Sequence, residues 1–262
     1  MAVMEAFGSQ SEFSSITVRP LAVHIGAEID DVDIAAGLSD TQIAEVWQAV
    51  LQWKVVFFRN QSMDHAQHVR FARYFGQCTP AHVVFGHDGE FPEVYSVAKF
   101  RAANSKREQA LIRPWTGWHA DITAAINPPS ASILRGETVP PYGGDTQWTN
   151  LAAAYRALSP AMQGFLKSLR GLHRFDAPTG RGKTREYDKH VERNSLATEH
   201  PMVRVHPETG EEVLYVSPSF LKSVVGLSPH ESLHLLEMLW EHAVRPEFTV
   251  RFRWEPGSVA FW

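Results

Sequence analysis

Residues 248–262 read Phe-Thr-Val-Arg-Phe-Arg-Trp-Glu-Pro-Gly-Ser-Val-Ala-Phe-Trp. Apolar and polar side chains alternate through Trp254, the period of a strand with one face in a core. We read the stretch as two strands, 248–254 and 258–262. A helix at about 229–243 precedes them. Before it, Val203–Val205 and Val213–Val216 flank HPETGEE, a β-hairpin turn. Helices are predicted at about 150–157 and 159–170, the second opened by Ser159-Pro160. Pro140, Pro141, Gly143 and Gly144 mark a turn between strands. Trp118–Thr123 and Ala131–Arg135 are strand-like. Nearer the start, a strand at 16–25 leads to a helix that Asp40 caps. That helix runs to about Gln52, with Ile43, Val46, Trp47 and Val50 on one face. Lys54–Phe58 reads as a buried strand, and a helix at about 64–75 carries Val69, Ala72 and Phe75 at helical spacing. The expected architecture is α+β on a mostly antiparallel sheet system, one domain over 16–262 after a loose end at 1–15.

Composition narrows the function classes. The 262 residues are 44% apolar and 21% charged, an ordinary globular balance. A net charge of −4 gives no basic field for nucleic acid. No apolar run reaches the roughly 20 residues that span a bilayer, and the first residues lack a signal-peptide pattern. Cys78 is the one cysteine, which excludes an internal disulfide framework and fits a reducing compartment such as the cytoplasm. Two polar stretches interrupt the periodic segments, at 99–116 and 174–196. The first holds five Lys or Arg against one Glu, either a solvated basic loop or a lid near something anionic.

His230-Glu231-Ser232-Leu233-His234 matches the HExxH pattern of zinc proteases. Its surroundings argue against that chemistry. Ser228 stands three residues before Glu231 as in a capping box, which gives Glu231 a structural task. At 100° per residue, Leu233, Leu236, Leu239, Trp240 and Ala243 share one face. His230 and His234 fall opposite, beside Glu237 and Glu241.

Trp118-His119-Ala120-Asp121-Ile122-Thr123 offers a quieter pattern. On a strand, residues i and i+2 project to the same side, so His119 and Asp121 would present an imidazole and a carboxylate together. Iron(II) oxygenases use two histidines and one carboxylate on one octahedral face. Any His-x-Asp on a polar strand face looks the same.

Other segments accompany the pair: Gly143-Gly144-Asp145-Thr146-Gln147-Trp148, His200-Pro201, Arg204-Val205-His206-Pro207, GAEIDDVD, KVVFFRNQ and the 248–262 stretch. In this order and at these separations, from about residue 16 to 262, they resemble the taurine dioxygenase family of iron(II)/2-oxoglutarate-dependent oxygenases. The resemblance implies a double-stranded β-helix, or jelly roll, flanked by helices. It implies Fe(II), 2-oxoglutarate and O2, with succinate and CO2 formed as a substrate C–H bond is hydroxylated. His119 and Asp121 match the first two iron ligands. Thr146 matches the hydroxyl that binds a 2-oxoglutarate carboxylate, a charge-assisted contact. Trp148, Trp254 and Trp262 match aromatic positions around the family site and are equally core candidates.

The same resemblance places the remaining iron histidine and a 2-oxoglutarate arginine after the strand ending at Trp262, so these are expected beyond Trp262. His82 falls near an anion-binding histidine of the family, and Val84 near a position that is tyrosine in taurine dioxygenases. Ile122 follows the second ligand. Ala124 stands where those enzymes carry phenylalanine, which implies a substrate larger than taurine: an alkyl sulfate, a longer sulfonate or a carboxylate. Homo-oligomers, dimer or tetramer, are expected, with neither nucleic acid nor membrane as partner. The alternatives are a non-catalytic jelly-roll binding protein without a complete metal triad and a zinc hydrolase using His230 and His234.

Overall fold

The computed structural model describes residues 13–80, 90–97, 113–175 and 196–262. In chain order the elements are β1 (Thr17–Pro20), β2 (Ala27–Asp30), α1 (Asp40–Trp53), β3 (Val56–Phe58), α2 (His65–Arg73), β4 (Ile133–Arg135), β5 (Thr146–Thr149), α3 (Leu151–Arg156) and α4 (Pro160–Lys167). There follow β6 (Arg170–Arg174), β7 (Ala197–Pro201), β8 (Val203–Val205), β9 (Glu212–Leu214), β10 (Leu221–Val224), α5 (Pro229–Ala243), β11 (Thr249–Phe252) and β12 (Val259–Phe261). They build two compact units interleaved along the chain. One takes residues up to Cys78 with Ala131–Trp148 and Thr249–Trp262; the other takes Thr79–Ser130 and Thr149–Phe248.

The first unit is organised by the period-two alternation of its central strands. Its sheet runs β1-β2-β3-β12-β4, antiparallel except for the β2–β3 pair. Val259 opposes Phe58, Ala260 opposes Phe57 and Phe261 opposes Val56. Val56, Phe58, Val259 and Phe261 therefore share a face, which packs on Val46, Ala49 and Val50 of α1 and Phe71 of α2. Phe57 and Ala260 point the other way, onto Trp148 of β5, Val250 and Phe252 of β11, and Trp254. The Phe57 and Phe252 rings stack at 4.0 Å, and the Arg59 guanidinium lies 4.0 Å over Phe252. Arg59 also donates to Glu28 at 2.8 Å and to the Arg253 carbonyl at 2.8 Å. Both faces of β3 and β12 are thus buried, which is why their sequences are apolar throughout.

The second unit centres on a sheet ordered β10-β6-β7 and the hairpin β8–β9. Its core joins Tyr155, Leu166, Met202, Leu214, Leu221, Leu236 and Leu239. On β6, Gly171 opposes His200 of β7 and Val224 of β10. A side chain there would meet Leu221 Cδ1 at 2.5 Å and Met202 Sδ at 3.0 Å, so anything but glycine would displace those side chains.

The mixed helices and mainly antiparallel sheets agree with the α+β expectation. Several details differ. Trp118–Thr123 is not a strand: the segment is irregular, then turns at 121–124. Ile122 has φ +47°, which breaks extended geometry, and Ala125 N–H donates to the Ile122 carbonyl at 3.0 Å. Helix α1 is capped by Ser39 rather than Asp40, through a capping box with Gln42. The strand expected over 16–25 ends at Pro20. Leu233, placed on the apolar face of α5, is half exposed. Residues 1–12, residues 99–112 of the basic stretch and 176–195 of the polar one lie outside the described residues. Among the described residues no helix is long and apolar enough to cross a membrane.

Candidate metal centre

His119 and Asp121 come together in the second unit without a strand to hold them. Their side chains meet at 3.4 Å between Nε2 and Oδ1. The irregular backbone that carries them is tied down instead by neighbouring side chains. Ala120 N–H donates to Ser217 Oγ at 3.2 Å, and Ser219 Oγ–H donates to the Trp118 carbonyl at 3.0 Å. His119 Nδ1–H donates to the Gly117 carbonyl at 2.9 Å, since a carbonyl only accepts. That bond fixes the ring and leaves Nε2 as the outward nitrogen, the arrangement by which metal-binding imidazoles are oriented.

The electrostatics follow. The Asp121 carboxylate raises the imidazole above its usual pKa; partial burial opposes this and the Gly117 carbonyl adds to it. Two donors about 2.1 Å from one ion and at right angles lie about 3 Å apart. The observed 3.4 Å separation is close to that spacing, so the pair fits a divalent cation. Tyr95 lies near the pair: burial and then the Asp121 charge push its phenol upward. No set of three or more His, Cys, Asp or Glu gathers around one point among the described residues; His119 and Asp121 stand as a pair.

Two buried histidines stand behind the turn at 121–125. His173 of β6 contacts Thr123 Oγ1 through Nδ1 at 2.9 Å, and His200 of β7 donates from Nε2 to the Ala125 carbonyl at 3.0 Å. Burial, with the charges of His200 and Arg204 adding, holds His173 at about 4, neutral across the physiological range. The sequence reading gave no role to His173 and quoted His200 only within the His200-Pro201 segment. No short-range spacing links either one to the His119 segment. The HP pair at 200 was the only available signal.

Thr146 lies in the first unit, on β5. Trp254 Nε1–H donates to its Oγ1 at 2.9 Å. Because the oxygen accepts from the indole, the hydroxyl proton remains available for an anionic acceptor. Trp148 and Trp254 are both core residues of that unit. Ile122 is half buried in the strained turn, and Ala124 is fully buried beside Thr123. His82 and Val84 lie outside the described residues.

The HExxH segment is spent on helix structure. Glu231 accepts from Ser228 N–H at 2.8 Å and Ser228 Oγ accepts from Glu231 N–H at 3.4 Å. His230 and His234 stack edge to face at 4.4 Å. His234 lies on an open face, 3.9 Å from Glu237.

Comparison with known proteins gives one consistent result. The family model described as taurine catabolism dioxygenase TauD, TfdA family matches residues 17–262. The chain is 33% identical to an alkylsulfatase of Acinetobacter baylyi, over 97% of this chain and 78% of that protein. It is 34% identical to an alpha-ketoglutarate-dependent sulfate ester dioxygenase of Pseudomonas putida, over 94% and 81%. A crystal structure of a taurine dioxygenase from Burkholderia xenovorans superposes with a TM-score of 0.82 at 58% identity, covering 95% of this chain and 79% of that one. AAD-2, solved with Mn(II) and N-oxalylglycine, superposes with a TM-score of 0.74 at 25% identity, over 94% and 86%.

Proposed function

From the premise that this chain belongs to the taurine catabolism dioxygenase TauD, TfdA family, and so is an Fe(II)- and 2-oxoglutarate-dependent dioxygenase, we propose that it hydroxylates a C–H bond of a small anionic substrate larger than taurine, an alkyl sulfate before a longer sulfonate or a carboxylate. The observation that carries the reading is the His119–Asp121 pair, 3.4 Å apart with the far ring nitrogen anchored on Gly117. The sulfate-ester preference rests on the two relatives named for that chemistry.

His119 and Asp121 would hold the iron. When bound, the metal and 2-oxoglutarate supply the oxidising power, with succinate and CO2 as co-products. The chain's own residues position and shield. Asp121 brings negative charge that offsets the cation, and the Gly117 carbonyl keeps the His119 ring aligned. Thr146 turns its hydroxyl proton to a 2-oxoglutarate carboxylate while Trp254 holds the oxygen. Ile122 and Ala124 follow Asp121 by one and three residues, where side-chain size sets the space beside the metal, and His82 with Val84 completes the expected substrate contacts. The same reading takes the fold as a jelly roll over 16–262 and the protein as a cytoplasmic homo-oligomer.

The test is 2-oxoglutarate turnover with Fe(II), comparing medium-chain alkyl sulfates with taurine. Sulfate-dependent succinate formation that is lost in His119→Ala is expected. A marked preference for taurine refutes the substrate assignment, and turnover that survives His119→Ala refutes the metal centre.

A further inference from the structure

We propose that His173 and His200 are positioning residues for the metal centre, acting as a two-point clamp on the turn that follows Asp121. The inference rests on the dioxygenase reading above and adds a role for residues that touch neither ion nor substrate.

The segment 118–125 has no strand ladder to fix its geometry. Its backbone also carries a cost, because Ile122 is β-branched and sits at φ +47°, a conformation held only where the surroundings over-determine it. The surroundings are identifiable. Ser217 and Ser219 hold the side before Asp121. After Asp121, the two histidines bond to the turn, one at Thr123 and one at Ala125.

The sheet delivers both rings to that place. Gly171 opposes His200 across the β6–β7 ladder, and His173 lies two residues along β6 from Gly171, on the same face. A Cβ at Gly171 would crowd Leu221 Cδ1 at 2.5 Å and would touch His173 Nε2 at 3.6 Å. The imidazoles approach edge to face at 5.4 Å, with Tyr215 at 5.2 Å from one and 5.4 Å from the other. Each ring is thus walled in and offers one nitrogen to the turn.

The proton placement is also determined. The Ala125 carbonyl only accepts, so His200 carries its proton on Nε2. His173 Nε2 is fully buried and has no hydrogen-bond partner among the described residues. With the proton on Nδ1, that orphan is a lone pair rather than an N–H, the less costly of the two. His173 then donates to Thr123 Oγ1. An unpaired buried nitrogen is tolerated here because the other nitrogen of the same ring has a task.

The test uses the full-length, metal-free protein and Mn(II) as the probe, with free Mn(II) read by electron paramagnetic resonance. Outer partners of metal ligands typically change affinity about 10- to 100-fold. His173→Leu, His200→Leu and Thr123→Val are expected to weaken Mn(II) binding about tenfold or more. His200→Gln, which restores a donor near Nε2, and His173→Asn, which restores one near Nδ1, are expected to recover most of it. Thr123→Val keeps the shape of the side chain and removes only the hydroxyl, so it decides the matter even where a leucine variant fails to fold. Wild-type affinity in Thr123→Val, or the same loss in the amide variants as in the leucine ones, overturns the clamp. His119→Ala serves as the reference for loss of the ion from this centre. A wild-type protein that binds no Mn(II) overturns the dioxygenase reading itself, and the clamp with it.

Discussion

Glu45 gives a quantitative handle on the first unit. It lies on α1, is 8% exposed, and its carboxylate accepts four hydrogen bonds from the incoming chain. Ser14 N–H and Oγ–H reach Oε1 at 2.6 and 2.8 Å, and Ser15 N–H and Oγ–H reach Oε2 at 2.9 and 2.7 Å. Burial alone would raise its pKa, but the serine bonds outweigh burial and bring it from 4.5 to about 2. At about 1.4 kcal/mol per tenfold, that preference for the ionised form corresponds to about 3 kcal/mol of stability. The folded pKa is depressed, so this contribution is present in full above about 4.5 and is lost as pH falls towards about 2. At pH 3 it has shrunk to less than half of that by the same linkage. Glu45→Gln keeps the shape but replaces two acceptor oxygens with one oxygen and an NH2 that faces donors. Urea unfolding of both proteins should show the variant less stable by about 3 kcal/mol at pH 7 and by less than half of that at pH 3. An equal deficit at both pH values, or none at pH 7, refutes the argument that the four bonds select the charged carboxylate.

Two further outcomes follow from packing and hydrogen bonding. Gly171→Ala places a Cβ 2.5 Å from Leu221 Cδ1 and should cost about 1–3 kcal/mol, read as a lowered Tm, with Leu221→Val in the same chain recovering part of it. Trp254→Phe removes the donor to Thr146, and one such bond is worth about 1 kcal/mol. The KM for 2-oxoglutarate should therefore rise about fivefold, with kcat little changed. An unchanged KM would mean that Thr146 needs no such orientation.

The parts of the fold legible in the sequence are those where a local signal and burial agree. Helix α5 was readable because Ser228, Pro229 and Glu231 form its start and Leu236, Leu239 and Ala243 its buried face. Strands β11 and β12 were readable because alternation in one and unbroken apolarity in the other match a face half covered and a strand fully covered. Strands β6 and β7 were not. Arg170-Gly171-Leu172-His173-Arg174 and Ala197–Pro201 place glycine and histidine where a core strand ordinarily shows valine or leucine. Their inward positions are occupied by groups chosen for hydrogen bonds to a distant turn, and no window of sequence contains both partners.

The metal pair shows a different kind of legibility. The strand rule brought His119 and Asp121 together, and they are together, yet no strand is there. In an extended segment, the i, i+2 relation follows from the pleat. Here it follows from a tight path in which Ser217 and Ser219 hold the backbone before Asp121 and a left-handed isoleucine reverses it just after. The difference has a physical consequence. A ladder distributes its hold over many backbone bonds and would tolerate the loss of any one side chain. An irregular turn concentrates it in a few side chains from residues 50 to about 100 positions away in the chain. Sensitivity of metal affinity to Thr123, His173 and His200, rather than to backbone-neutral changes nearby, is what separates the two constructions.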